Sequence, residues 1–234
     1  MTAIMRRELA AYFASPIGYI FLAVFYIFAG FYFTVTCLLS NSSDMSYVFN
    51  SMFTIVLILV PLLTMRLLSE DKRHKTDQAL LTAPVSLTGL VLGKYLAAVL
   101  VYLLSLAVTL VYATVIAIYA PPGWPQVMGN FIALLLMGMA FISIGLFVSS
   151  LTENQLIAAV GSFAIALGLI IMDSVAPTIT VPWLRQILSG IGFFGRYSAF
   201  TVGKLELSGI VFFLSVSAVF LFLTIRVLDK RRWS

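Results

Sequence analysis

Six stretches of this chain are apolar over the thickness of a lipid bilayer: about Ile17–Leu39, Phe49–Leu68, Leu90–Tyr119, Val127–Ser150, Gln155–Asp173 and Leu207–Leu228. A helix needs ~20 apolar residues to cross the hydrocarbon layer, and each stretch reaches or approaches that length. The runs are far too long for the alternating strands of a membrane barrel. The third is long enough to tilt or to project beyond the membrane. Composition closes off the soluble alternative, since 62% of residues are hydrophobic and 10% charged, with a mean hydropathy of +1.08. A soluble domain carries ~25% charged residues. The expectation is an all-α integral membrane protein, with residues 1–234 forming one transmembrane domain.

The net charge of +5 does not point to nucleic acid, because the positive residues sit beside hydrophobic runs, where they orient helices and meet anionic lipid. Eleven of the fourteen Lys and Arg residues fall on one side: Arg6, Arg7, Arg66, Lys72, Arg73, Lys75, Lys94, Arg226, Lys230, Arg231 and Arg232. Arg185, Arg196 and Lys204 fall on the other. The positive-inside rule makes the first side cytoplasmic, with both termini inside, as an even number of spans requires. The apolar run after Arg6-Arg7 exceeds the ~7–15 residues of a secretory signal core, so it reads as a first span that stays. The Arg-Arg pair lacks the surroundings of a twin-arginine signal. Cys37 is the only cysteine, which excludes an internal disulfide or a cysteine metal cluster.

Three segments outside the spans are patterned. In residues 1–15, Met5, Leu9, Tyr12 and Phe13 share a helical face from which Arg6 and Arg7 point away, as in a helix lying on the cytoplasmic leaflet. Ser15-Pro16 then turns the chain inward. On the outer side, Trp183–Gly203 places Leu184, Ile187, Leu188 and Ile191 at i, i+3, i+4 and i+7, opposite Arg185, Ser189, Gly192 and Arg196. This predicts an outer amphipathic segment interrupted by Gly190, Gly192 and Gly195; a short re-entrant hairpin and a plain loop are the alternatives. The third segment, Ser69–Ser86, is a polar interruption between spans two and three. Thr76 or Asp77 can cap a short helix, Ala79, Leu80 and Leu81 give it an apolar patch, and Pro84 ends it. A helix this short needs packing against its own spans or a partner.

Catalytic patterns are lacking. Gly89-Leu90-Val91-Leu92-Gly93-Lys94-Tyr95 has one residue too few between its glycines for a phosphate loop, and Tyr95 stands where a hydroxyl should hold magnesium. His74 is the only histidine, and its acidic neighbours Glu70, Asp71 and Asp77 suit a solvated face. Neither GxSxG nor HExxH occurs. Asp173, next to a membrane segment, reads as a wetted helix end rather than a buried proton site. Glu153-Asn154 reads as a tight cytoplasmic turn. Ala158, Ser162 and Ala166, with Gly161 and Gly168 close by, allow close helix approach, either within the chain or at a dimer seam. Phe21, Phe25, Tyr26, Phe28, Phe31, Tyr32 and Phe33 make span one aromatic, for packing, for lipid contact or for an amphipathic cargo.

Pro61–Ser69 with Glu70-Asp71-Lys72-Arg73, followed by Leu80-Leu81-Thr82-Ala83-Pro84-Val85-Ser86, resembles the second span and coupling helix of ABC-2 type permeases, most closely the gliding-motility-associated, GldF-like subgroup. Arg7-Glu8-Leu9 and Tyr12-Phe13 with Ser15-Pro16 resemble that family's amphipathic N-terminal helix. Val91-Leu92-Gly93-Lys94-Tyr95 resembles the start of its third span, and Phe222-Leu223-Thr224 with Arg231-Arg232-Trp233 its closing helix and basic tail. The resemblance implies six spans with both ends inside a bacterial inner membrane, two permease protomers as homodimer or heterodimer, and two ABC ATPase subunits that hold the ATP and magnesium. It assigns ATPase coupling to Glu70, Asp71, Lys72, Arg73, Thr76, Asp77, Gln78, Leu80, Leu81, Thr82 and Pro84, and an interfacial role to Arg6, Arg7, Glu8, Leu9, Tyr12 and Phe13. It implies export of an unspecified substrate, with no catalysis or cofactor in this chain. A force-transmitting subunit that moves no solute, accompanied by a GldG-like membrane protein with an outer domain, is the alternative. A small intramembrane enzyme is the third reading, and it lacks clustered acids, histidines or a nucleophile. The sequence departs from the family in two places: Thr76-Asp77-Gln78-Ala79 displaces the glutamate that often comes after the threonine, and Lys75 replaces a common glycine.

Overall fold

The computed structural model describes residues 2–73, 75, 86–178, 181, 183, 185–186, 190, 192–201 and 207–232. The described chain is helical: α1 (Thr2–Ala14), α2 (Pro16–Phe33) ending in a π-turn (Thr34–Leu38), α3 (Ser46–Thr64), α4 (Ser69–Arg73), α5 (Leu87–Tyr119), α6 (Trp124–Leu151), α7 (Gln155–Val175) ending in a 3-10 turn (Ala176–Thr178), α8 (Phe194–Thr201) and α9 (Leu207–Arg232). Six helical segments, those of α2, α3 with α4, α5, α6, α7 and α9, are long and apolar enough to cross a membrane. They match the six apolar runs, and backbone hydrogen bonding within each helix is what hydrocarbon demands.

The boundaries obey local chemistry. Pro16 occupies the first turn of α2, where its missing N–H costs nothing. Ser86 Oγ accepts from Gly89 N at 3.2 Å to cap α5, and Asn154 Oδ1 accepts from Leu156 N at 2.9 Å to cap α7. Asn154 thus has a structural task in the turn between spans four and five.

The centre of the bundle is α6, with 72% of its most apolar window buried, and α3, with 67%. The corresponding values for α7 and α9 are 22% and 17%, so these helices present most of their apolar surface outward. Close approach to α6 depends on small residues. A side chain at Gly145 would collide with Thr64 of α3, and one at Gly138 with the Tyr102 ring of α5. The Tyr102 hydroxyl donates to Leu134 O at 2.7 Å, across the same contact. The small stripe of α7 is used within the chain: Ala158, Ser162 and Ala166 are buried, and α7 packs on α6 and α3. The aromatic residues of α2 divide, with Phe21, Phe25 and Phe33 buried and Phe28 and Phe31 facing outward.

Of the predicted amphipathic segment, Leu184, Ile187, Leu188 and Ile191 lie outside the described residues. Residues 192–201 turn back into the bundle. The Phe193 ring stacks on Phe141 of α6 (centroids 5.1 Å, 11°), whereas the Phe200 carbonyl lies beside Gly129. Those two α6 positions are about 18 Å apart at ~1.5 Å per residue. The described residues 193–201 therefore pack into the bundle, with Tyr197 and Phe200 of α8 buried. Arg196 Nη1 donates to Gly190 O (2.6 Å) and Gly192 O (3.2 Å), and its guanidinium lies 3.8 Å from the Phe212 ring centroid. Asp173 is not merely wetted: its Oδ2 accepts from Phe194 N at 2.6 Å, at the first turn of α8.

Gly145→Ala should destabilise the protein by about 1–3 kcal/mol, the usual cost of overpacking, because its Cβ meets Thr64. Gly168→Ala, which meets nothing within 4 Å, should leave the midpoint of thermal unfolding in detergent unchanged.

Candidate functional site

The candidate site begins where span two stops being a helix. Pro61 lies inside α3 and has no N–H to donate, which weakens the turn before it, while its own carbonyl still accepts from Met65 N at 2.9 Å. The helix ends at Thr64, four residues of turn come next, and α4 starts at Ser69. Backbone groups freed at this break need partners. Ser149 of α6 supplies them: its Oγ accepts from Leu68 N (3.1 Å) and Ser69 N (3.0 Å) and donates to Met65 O (3.1 Å). The Lys72 side chain is buried and donates to Ser150 O, one of the last carbonyls of α6. A cation there also suits the negative end of the α6 dipole.

The opposite flank of the break faces α1 and α5. The Tyr12 hydroxyl donates to Leu63 O at 2.8 Å. Burial, with the nearby Glu8 charge, holds that hydroxyl protonated well above the usual phenol range. Arg66 makes a bidentate pair with Glu70 (2.6 and 3.1 Å) and donates to Ser15 Oγ at 2.8 Å. Lys94 of α5, only 1% exposed, lies 3.0 Å from Glu8 of α1 and 2.7 Å from Asp71 of α4. Arg7 pairs with Glu8 at 2.6 Å, which raises its pKa further. These side chains line a cavity of about 350 Å³ between α1 and the root of the polar interruption.

The predicted residues divide between the bundle and its surface. On α1, Tyr12 is buried, Leu9 and Phe13 are half-buried and pack on the core, and Arg6 and Arg7 are exposed, as the sequence pattern requires. Glu8 sits between Arg7 and Lys94. Among the four charged residues at the root of the polar segment, Glu70, Asp71 and Lys72 turn toward the bundle, and Arg73 is exposed. Thr76, Asp77, Gln78, Leu80, Leu81, Thr82 and Pro84 lie outside the described residues. Lys94, near the end of the glycine-bounded stretch that opens α5, is committed to two carboxylates.

The chain's sequence from residue 39 to residue 227 matches the profile of the ABC-2 family transporter protein. The chain belongs to the ABC-2 transporter family. It is accordingly a membrane permease component of an ABC transporter, and the matched stretch takes in the break, α4, the polar interruption and both flanking spans. No curated protein matches the chain.

The ABC-2 assignment gives meaning to one detail. Lys75 has φ +56°, and its N–H bonds back to Lys72 O at 3.0 Å. This is a left-handed turn just after α4, at the place where the resemblance leads one to expect glycine; only glycine adopts it without steric cost. Ser149 and Lys94, by contrast, carry no motif. Ser149 looks like any small residue at the end of a span. Lys94 offered one signal, a cation a full turn inside an apolar helix, which requires a partner.

Ser149→Ala would orphan two buried amides and should cost about 1–3 kcal/mol for each. Ser150→Ala is the control, since its hydroxyl bonds only to Phe147 O of its own helix; thermal unfolding in detergent compares them. Lys75→Gly should raise the unfolding midpoint by relieving roughly 1–2 kcal/mol of left-handed strain.

Proposed function

We propose that this permease works as an exporter subunit in which a separate ABC ATPase drives the segment Glu70–Pro84 from the cytoplasmic side. The observation that carries the reading is the family match across residues 39–227, which includes that segment. The anchoring of its root supports it. Glu70, Asp71 and Lys72 are tied to α1, α5 and α6, so a push on the segment reaches the spans instead of being lost in a slack loop. In this reading Glu70, Asp71 and Lys72 set the segment's stance, and Arg73 with Thr76, Asp77, Gln78, Leu80, Leu81, Thr82 and Pro84 meets the ATPase.

The concentration of Lys and Arg beside α1, α4, the start of α5 and the end of α9 makes that end cytoplasmic, in a bacterial inner membrane. Two such protomers, identical or related, would rock between two arrangements as the ATPases close. ATP and magnesium belong to the ATPase. The resemblance of the polar segment to the GldF-like subgroup supports that placement and, with it, an accompanying GldG-like membrane protein.

The test is to tag the C-terminus, purify the protein from its native membrane in mild detergent, and identify its companions by mass spectrometry. A stoichiometric ABC ATPase is the expected result, and recovery of the chain alone would count against the proposal. An additional protein with a large outer domain would favour force transmission without solute movement. Leu80→Ala with Leu81→Ala should leave membrane insertion intact while the ATPase runs uncoupled, and unchanged coupling would remove the segment from its proposed role.

A further inference from the structure

The break at residues 65–68 separates span two from α4, so a movement of α4 need not reach the rest of the bundle through the backbone. Side chains must carry it. On the span side of the break, Tyr12 holds α1 to Leu63. Beyond the break, Asp71 of α4 meets Lys94, which also holds Glu8 of α1 and is itself part of α5. A second route, from Glu70 through Arg66 to Ser15, passes through a Glu70 side chain that is 32% exposed and therefore screened by solvent. Lys94 is different. Its ammonium is buried and faces two carboxylates from two other elements, so separating either one gives up a charge-assisted contact in a setting with little water to replace it. Such a joint resists opening and moves its three elements together.

Resting on the permease reading above, we infer that Lys94 is the positioning residue through which movement of α4 is passed to the interfacial helix α1 and to the third span. Its role is mechanical: it keeps Asp71, Glu8 and α5 in one body across the break. The interfacial helix thereby becomes part of the moving linkage rather than a passive anchor.

The test uses the full chain in inside-out vesicles from its own cells, with Cys37→Ser as background and one reporter cysteine at a time, Arg6→Cys on α1 or Lys75→Cys just after α4. Both positions are exposed. Labelling by a membrane-impermeant maleimide is measured with and without ATP plus orthovanadate, which arrests ABC ATPases after hydrolysis. In the unaltered joint, both reporters should change their labelling rate. The joint is then neutralised by combining Lys94→Met, Glu8→Gln and Asp71→Asn, which removes the charges together and leaves none stranded. The response at position 75 should persist, and that at position 6 should fall about five-fold or more, the lower range of coupling between sites. Glu8→Gln alone, which cuts only the α1 arm, gives the same comparison if the triple variant folds poorly.

Persistence of both responses in these variants would overturn the inference and leave the permease reading standing. So would an unresponsive position 6 in the unaltered joint. A labelled but unresponsive position 75 in the unaltered joint would instead overturn the reading that an ATPase drives this segment, and the inference with it.

Discussion

Backbone amides inside a membrane protein must be hydrogen-bonded, and this chain interrupts a spanning helix at residues 65–68. Everything at the basic end of the bundle depends on how that interruption is satisfied. A helix that simply ended there would leave Leu68 and Ser69 N–H groups in a buried setting, each costly to leave unmade. A single hydroxyl, that of Ser149, resolves both and bonds Met65 O as well. The close packing of α3 on α6 that puts it there depends on Gly145 accommodating Thr64. The break can therefore exist only because the fourth span lies directly against it.

Around that break, the charged residues sort by burial. Lys94 and Lys72 are buried and fully engaged, whereas Arg6 and Arg73 are exposed. Buried ion pairs are poor sources of net stability, since desolvation offsets their attraction, but breaking one is expensive. That asymmetry suits a linkage, which gains little by being assembled and loses much by coming apart. It also separates the two faces of the polar segment: an inward set that fixes its root to the permease and an outward cation near its start.

Much of this was legible in the sequence, for identifiable reasons. The spans were, because bilayer thickness imposes a length that only long apolar runs meet, and the face of α1 was, because Leu9, Tyr12 and Phe13 keep the helical period. The inward packing of residues 193–201 was not readable from the pattern; the glycines permit a turn without saying which way it points, and the stacking of Phe193 on Phe141 is a product of tertiary packing. Asp173 read as a solvated helix end because its partner, the Phe194 amide, is a backbone group that no side-chain pattern reveals. Glu70 and Asp71 read as part of a solvated face because a charged run ordinarily marks one, and nothing in the sequence singled out Lys72 as buried. Their partners, Arg66, Lys94 and Ser150, are set by tertiary packing. Ser149 was invisible for the same reason, since a hydroxyl that caps a break elsewhere in the chain looks no different from one that bonds its own helix.

The order in which these attachments become possible is fixed by the order of synthesis. Tyr12 can reach Leu63 O once the second span has been made, and Lys94 joins Glu8 and Asp71 only when the third begins. The hydroxyl of Ser149 arrives last, with the end of the fourth. At ~5–20 residues per second, the roughly 80 residues between the break and Ser149 take about 4–16 s to synthesise. Throughout that interval the amides of Leu68 and Ser69 must be solvated or held by another molecule. The nascent chain thus passes through a stage in which two spans have been made, the lever is unlocked, and the joint is still unfinished.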